Sequence, residues 1–197
     1  MKRHLILSAF TIIVTFASCK KDSNTDTNST GIQGTYKLKY LTAKTSSIAT
    51  SDDEKSVTTS NYTTINNQGT IVFDNSKMSS TGLTYTVDTI AKYWLYEGAD
   101  LVDSSSFPFK FTQPSTNSSA VYELIGADSI YFPQGSVTSG VGTSGSTQSG
   151  PNGGRYSWNG KLLTLTQPVA KDSSFEDSGE TVHLVESAVV SVVLEKQ

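Results

Sequence analysis

The amino-acid sequence predicts an all-β protein built from antiparallel strands. Ser and Thr make up 56 of the 197 residues, a composition that does not favour long helices. Apolar and polar residues alternate over several segments, which is the pattern of a strand with one buried face. The sequence therefore predicts about eight to ten strands and no helix. A closed barrel and a β-sandwich both fit, because each protects the edges of its sheets.

Two predicted strands are long. One alternation runs from Leu83 to Tyr96, and another covers Thr181 to Leu194, where Glu186 interrupts the apolar face and is expected at a bulge or rim. Asn159-Gly160 between two extended segments predicts a hairpin. Pro108 in a Phe-rich segment predicts an edge strand. Shorter strands are predicted at 36–40, 71–73, 107–111, 121–125, 129–132, 155–158 and 161–167.

Residues 1–18 have the pattern of a targeting signal. Basic residues precede an apolar run of 13 residues at 5–17, which is shorter than the roughly 20 residues that a membrane-spanning helix needs. The run ends in Phe16-Ala17-Ser18-Cys19, which resembles the lipobox of bacterial lipoproteins. That resemblance implies cleavage before Cys19, a diacylglyceryl group on its thiol, and a fatty acid such as palmitate on the new amine.

The resulting expectation is a lipid-anchored protein of the outer membrane, on either its periplasmic or its cell-surface face. More than one acyl chain makes such attachment stable. Residues 19–31 are expected to form a flexible tether, because positions 20–30 hold no apolar side chain. Residues 32–197 are expected to form a single β domain, with a disordered loop rich in Gly and Ser at about 133–154.

Composition argues against several function classes. The net charge of −3 gives no reason to expect a nucleic-acid partner. Cys19 is the one cysteine and His183 the one histidine of the processed chain, so neither a metal site nor a cofactor is expected. Asp52-Asp53-Glu54 is expected to be a solvated loop rather than a cation site. No motif names a reaction, and the protein is expected not to be an enzyme.

Short segments along the domain resemble small lipocalin-like lipoproteins of diderm bacteria. Gly34-Thr35-Tyr36 resembles the Gly-x-Trp that opens the first lipocalin strand, although Tyr replaces Trp and the last strand lacks the usual Arg. The other similar segments are Phe73-Asp74, the Tyr-rich strand at 83–96, 128–132 and 160–165. The resemblance implies an up-and-down β-barrel of about eight strands, with a possible cavity for a small apolar ligand.

Three hypotheses for function follow. The leading one is a non-enzymatic barrel that binds or carries a small hydrophobic ligand, with Tyr85, Tyr93 and Trp94 as speculative ligand-binding residues. The second is an accessory or adhesion module of a cell-surface assembly that binds glycan or protein. It is based on Ile90, Trp94 and Tyr96, which fall outside the expected core face. The third is a hydrolase, which would require a buried carboxylate pair or a contact of His183 with a serine and an acid.

Overall fold

The computed structural model describes residues 31–134 and 152–197, which contain ten β-strands and no helix. The strands are β1 (Gly34–Ser51), β2 (Glu54–Thr63), β3 (Ile65–Phe73), β4 (Lys77–Glu97), β5 (Asp100–Val121), β6 (Glu123–Ile125), β7 (Ser129–Phe132), β8 (Asn152–Asn159), β9 (Leu162–Asp177) and β10 (Glu180–Lys196). The prediction of an all-β fold with eight to ten strands is confirmed.

The sheet is antiparallel and has up-and-down connectivity, as predicted. β1 pairs with β10, its far neighbour in sequence, from Tyr36 opposite Lys196 to Thr50 opposite His183. β2 and β3 both lie between β1 and β4 and are separated by the single residue Thr64. β5 pairs with β4 and β6 pairs with β7, and Tyr122 alone separates β5 from β6.

The hydrophobic core lies at one end of the long strands. We call this end the core half, which comprises residues 31–43, 64–87, 112–134, 152–167 and 190–197. Every member of the main buried apolar cluster belongs to it. The largest of these side chains are completely buried on the inward face, where alternate residues of each strand point. They are Ile32, Tyr36, Ile71, Phe73, Met78, Leu163 and Leu194.

Aromatic rings connect the first strands of the core half to its last. The Tyr36 ring meets the Phe73 ring edge-on, with centroids 5.7 Å apart, and lies 6.1 Å from the Trp158 ring. The Tyr36 hydroxyl donates to the carbonyl oxygen of Ile32 at 2.6 Å. Lys196 of the last strand places its Nζ 5.6 Å from the centre of the Trp158 ring. The N-terminal and C-terminal strands are therefore joined by side chains as well as by backbone hydrogen bonds.

The remaining described residues, 44–63, 88–111 and 168–189, form the distal half. Here β1, β4, β5, β9 and β10 continue beyond the core, whereas β6, β7 and β8 have three, four and eight residues and do not extend as far. The distal part of β1 has eight residues, which corresponds to about 27 Å of strand. Its inward side chains are small, as described below.

The structure confirms the predicted hairpin and most predicted strands, although its strands are longer. Asn159 pairs with Leu162, so Gly160-Lys161 forms the two-residue turn, with Gly160 at φ 60°. Pro108 lies on β5, which pairs with β4 alone among the described strands, as an edge strand should. β2 and the distal parts of β1, β5 and β9 were not predicted. β8 begins at Asn152, inside the range expected for the loop.

Glu186 was expected at a bulge or rim, and that expectation is wrong. The pairing of β10 with β1 and with β9 is regular on both sides of Glu186, and its side chain is completely buried. The predicted signal segment, Cys19, most of the tether and most of the predicted loop lie outside the described residues.

Candidate functional site on the inward face of the distal half

On β1 and β2 the inward face of the distal half carries small side chains, whereas β10 keeps large inward residues such as Val182 and Leu184 beside them. On β1 the inward series passes from Tyr36, Leu38 and Leu41 to Ala43, Thr45, Ser47, Ala49 and Ser51. The strands beside it add small inward residues at matching positions, namely Ser56, Thr58 and Ser60 on β2, Ala91 on β4 and Ala188 on β10. We call these residues the small-residue floor. Glu186 of β10 lies directly opposite Ser47 and is fully buried beside the floor.

Hydrogen bonding fixes the hydroxyl groups of the floor. The hydroxyls of Thr45 and Ser60 lie opposite each other on β1 and β2, 2.7 Å apart, and both residues are buried. Ser51 donates to a carboxylate oxygen of Glu180 at 3.1 Å. A buried hydroxyl that already has a partner presents mainly its carbon atoms to a ligand.

Larger side chains border the floor on two sides. Tyr93 on β4 and Phe107 on β5 are half-buried and point inward on one side. Val169 on β9 is buried on the other side, where it packs against Ala188. Where the two halves meet, a narrow pocket opens between Ile130, Phe132, Leu165, Gln167 and Val190. We call the inward surface formed by the floor and these bordering side chains the trough.

Carboxylates dominate the charge around the trough. Glu54 and Glu97 lie directly opposite each other on β2 and β4, and Asp103 is the register partner of Leu95. Burial, and then the negative charges of Asp103 and Glu54, raise the pKa of the Tyr93 phenol. Such carboxylates repel an anionic ligand and favour a neutral or cationic one.

Two polar side chains are buried within the same interior. Gln113 on β5 lies opposite Tyr85 and is 6% exposed, and its side-chain oxygen accepts no hydrogen bond from any residue in 31–134 or 152–197. Glu186 on β10 lies opposite Lys171 on β9 and is fully buried. Buried polar groups require hydrogen bonds, and Gln113 therefore presents an acceptor within the core half, about 20 Å along β5 from Phe107.

The structure brings two of the three predicted ligand-binding residues to the inward face. Tyr85 lies in the core half, is 4% exposed, and has its pKa raised by burial and then by the neighbouring Tyr62. Tyr93 lies in the trough, eight residues further along β4, which corresponds to about 27 Å. Trp94 follows Tyr93 directly and therefore points outward. The three side chains do not converge on one small molecule.

The other candidate residues lie on the outside or at the turns. His183 is half-exposed, and its Nε2 lies 2.6 Å from a carboxylate oxygen of Asp172, which is more exposed. Within the described ranges, no serine hydroxyl bonds to His183. Asp52 and Asp53 lie in the β1–β2 turn, and Glu176 accepts from the hydroxyl of Thr181 at 2.7 Å. Residues 31–134 and 152–197 contain no group of three or more His, Cys, Asp or Glu that could hold a metal ion.

The residues behind the second hypothesis remain accessible. Ile90 is 63% exposed, and Trp94 and Tyr96 are half-buried on the outward face of β4. Lys55 covers part of Tyr96, with its Nζ 4.7 Å from the ring centre. This face therefore offers apolar surface to another molecule.

Sequence reasoning missed the small-residue floor, Gln113 and the burial of Glu186. The floor residues are Ser, Thr and Ala, which produce no apolar alternation. The turns that connect the distal strands are short, at Asp52-Asp53, Gly98-Ala99 and Ser178-Gly179, and such turn residues were the available signal.

Comparison with known proteins returned no matching family model, no matching curated protein and no matching solved structure. Across the described ranges we find no helix with the length and apolar character needed to cross a membrane.

Proposed function

We propose that the protein is a lipid-anchored, lipocalin-like β-barrel that binds a small apolar molecule, neutral or cationic, in the trough of its distal half. The carrying observation is that the inward side chains of β1 change from large residues in the core half to the small-residue floor in the distal half. The proposal comprises barrel closure, the ligand and the anchor, which are argued in turn.

Barrel closure is supported by the order of strand pairing. If β2 with β3 and β5 with β6 are each taken as one interrupted strand, every strand pairs with two neighbours, and β10 pairs with β1. That order describes eight strands around a ring in the core half, whereas in the distal half β5 pairs with β4 alone and β9 with β10 alone among the described strands. Tyr36, which the resemblance equates with the lipocalin Trp, lies 6.1 Å from the Trp158 ring, and Lys196 lies 5.6 Å from the centre of that ring.

The ligand proposal depends on space and chemistry. Tyr93, Phe107 and Val169 provide apolar walls. Ligand pockets are mostly apolar with a few polar groups. The distal half carries twelve acidic residues and five lysines, a net charge of −7. A carboxylate ligand such as a free fatty acid is therefore disfavoured.

The ligand experiment uses a chain that starts at position 19 and carries Cys19→Ala, so that no detergent is needed. Two fluorescent probes are compared, neutral N-phenyl-1-naphthylamine and anionic 1-anilinonaphthalene-8-sulfonate. We expect saturable binding of the neutral probe at least tenfold tighter than that of the anionic probe. The absence of saturable binding by the neutral probe contradicts the proposal.

Two matched variants locate the binding site. Ser47 points inward and Ser46 points outward on the same strand. Ser47→Phe fills the trough and should weaken binding of the neutral probe at least tenfold, whereas Ser46→Phe should leave it unchanged. Equal effects of the two variants would place the bound probe elsewhere.

The anchor is tested separately in cells. Radiolabelled palmitate should be incorporated into the chain, and Cys19→Ala should abolish the incorporation and release the protein from the membrane fraction. Membrane attachment that persists in Cys19→Ala contradicts the anchor. This result does not affect the ligand proposal.

The second candidate function is an accessory or adhesion module that binds glycan or protein through the outward face. The exposure of Ile90 and the half-exposed rings of Trp94 and Tyr96 favour it. It is tested by binding of the Cys19→Ala chain to immobilised glycans, with Trp94→Ala as the variant that should lose binding. Unchanged binding by Trp94→Ala contradicts this function.

A further inference from the structure

A row of apolar side chains crosses four strands on the outward face of the distal half. Ile48 on β1 lies between Val185 on β10 and Val57 on β2, and Val57 lies beside Trp94 on β4. All four are half-buried rather than buried. An outward face of this kind is usually polar, so a continuous apolar row indicates a contact surface.

A second pair of apolar residues lies four positions closer to the core half on the same face. Val189 on β10 is 49% exposed and Ile90 on β4 is 63% exposed. Val189 pairs with Lys44 of β1, and Ile90 pairs with Pro108 of β5. The two exposed residues thus lie on opposite sides of the centre of this face.

We propose that this face binds a second copy of the chain, with strands of the two copies running in the same direction and the two-fold axis between β1 and β2. This symmetry exchanges the two sides of each row. Trp94 then meets Val185 of the partner subunit, and Ile48 meets the partner's Val57. In the second row, Ile90 meets the partner's Val189. Each apolar group therefore faces an apolar group, as an isologous contact requires.

Charges are compatible with the same arrangement. Lys92 faces Ser187 of the partner subunit, Lys55 faces the partner's Thr50, and Lys44 faces the partner's Asn61, by the positions these residues hold in the strand register. Asp172, at one end of the apolar row, faces the partner's Ser104 at the other end. No pair of like charges is opposed, which is the condition that a partner of the same sequence must meet.

The position of the N-terminus selects the parallel arrangement. The described chain begins at residue 31 in the core half, at the opposite end of β1 from its distal tip. In a parallel dimer both N-termini lie on the same side, so both proposed anchors reach one membrane. In an antiparallel dimer they lie at opposite ends of strands about 60 Å long. The inference uses the lipid anchor of the proposed function but not its ligand.

The available area predicts a weak dimer. Six strands at about 4.8 Å spacing and four rows of outward residues cover roughly 600 Å² in each copy, or about 1,200 Å² in total. This is the lower end of the range for specific interfaces. Anchoring two copies in one membrane raises their effective concentration and favours association.

Cysteine cross-linking tests the geometry. Thr59, Lys92 and Ser106 share one row of outward residues, with Thr59 beside the axis and Ser106 at the edge. In the Cys19→Ala chain, a short bismaleimide should cross-link Thr59→Cys into a dimer at least tenfold faster than Ser106→Cys, because it spans the roughly 10 Å between packed sheets that a disulfide cannot. Combining Ser106→Cys with Ala170→Cys should restore rapid cross-linking, because Ser106 faces the partner's Ala170. Equal rates for the two single variants overturn the proposal.

Sedimentation of the same non-acylated chain provides a second readout. Self-association should be measurable at high micromolar concentration. Val57→Lys should weaken it at least tenfold, and Thr81→Lys, an exposed residue of the core half, should leave it unchanged. A monomer at every concentration, together with slow Thr59→Cys cross-linking, overturns the proposal. So does a Thr59→Cys cross-link in cells that joins this chain to a different protein. Neither result bears on probe binding in the trough.

Discussion

The core half and the distal half are made from the same strands but differ in contents and charge. The core half encloses large apolar side chains and has six cationic and four acidic residues, a net charge of +2. The distal half has small inward residues and a net charge of −7. Backbone pairing continues across both. Once a strand has its register fixed by packing in the core half, its backbone pairing can continue into a region where side-chain packing contributes less to the stability of the fold.

The largest expected difference concerns buried aromatic rings. Phe73 in the core half is 2% exposed and lies edge-on to Tyr36 and to Tyr122, with centroids 5.7 Å and 5.4 Å apart. Phe73→Ala should reduce the free energy of unfolding by about 3–5 kcal/mol. Phe107→Ala in the distal half should reduce it by about 1 kcal/mol, because Phe107 is half-exposed. Urea denaturation measures both, and equal losses would remove the distinction between the halves.

Two glycines test whether the backbone is more closely packed in the core half than in the distal half. Both Gly69 in β3 and Gly98 in the β4–β5 turn have positive φ, at 115° and 58°. A Cβ on Gly69 would lie 2.8 Å from the Cα of Leu83, whereas a Cβ on Gly98 meets no atom within 4 Å. Gly69→Ala should destabilise by about 3 kcal/mol and Gly98→Ala by about 1 kcal/mol. Thermal unfolding monitored by circular dichroism should rank them in this order. The reverse order would contradict the close packing at Gly69.

The buried hydroxyl pair measures how well the distal half excludes water. Ser60→Ala leaves the Thr45 hydroxyl without its partner and should reduce the free energy of unfolding by about 1–2 kcal/mol. Thr45→Val with Ser60→Ala removes both polar groups and should restore most of that loss. A double-mutant cycle determines the coupling. Purely additive losses would mean that water reaches this part of the floor.

The smallest expected effect is a pH-dependent change in Tm caused by Asp74, in the turn between β3 and β4 of the core half. Backbone N–H groups of Ser76 and Lys77 hydrogen-bond to Asp74 and lower the pKa of its carboxyl group. A lowered folded-state pKa stabilises the fold above the unfolded value, near 3.8, and this stabilisation is lost as pH falls through the folded-state pKa. Asp74→Asn should therefore lower Tm at pH 7 and have less effect at pH 2.5. A Tm difference that is independent of pH contradicts this role.

The core half could largely be predicted from the sequence, because large apolar residues alternate with polar ones along its strands. The strand around Tyr36, the β8–β9 hairpin and β7 were found for this reason. In the distal half, the inward positions of β2 are Ser and Thr and its outward face holds Val57, so neither face has a hydrophobic period. Pairing with β1 and β4 fixes this strand, and such tertiary pairing is not visible in a local window of sequence.

The candidate site was predicted in part, again because large apolar residues alternate with polar ones along β4. Aromatic residues on β4 drew attention to Tyr85 and Tyr93, and period-two alternation placed both on one face. The alternation also placed Trp94 on the other face, but the distance between Tyr85 and Tyr93 emerged only when the strand proved to be continuous. The floor around Ser47 could not be predicted, because small residues are informative only when their neighbours across the sheet are known.

Pairing of β1 with β10 has a consequence for how the chain folds. Tyr36 and its partner Lys196 are 160 residues apart in sequence, so this contact closes nearly the whole domain into one loop. Long-range pairing slows folding, because the entropy of closure is lost before the contact stabilises the chain. β10 is also the last of the described strands to be synthesised, and this sheet cannot be completed until it emerges from the ribosome. The export that the proposed lipid anchor requires would benefit from this delay, since the native state stays out of reach until β10 is available.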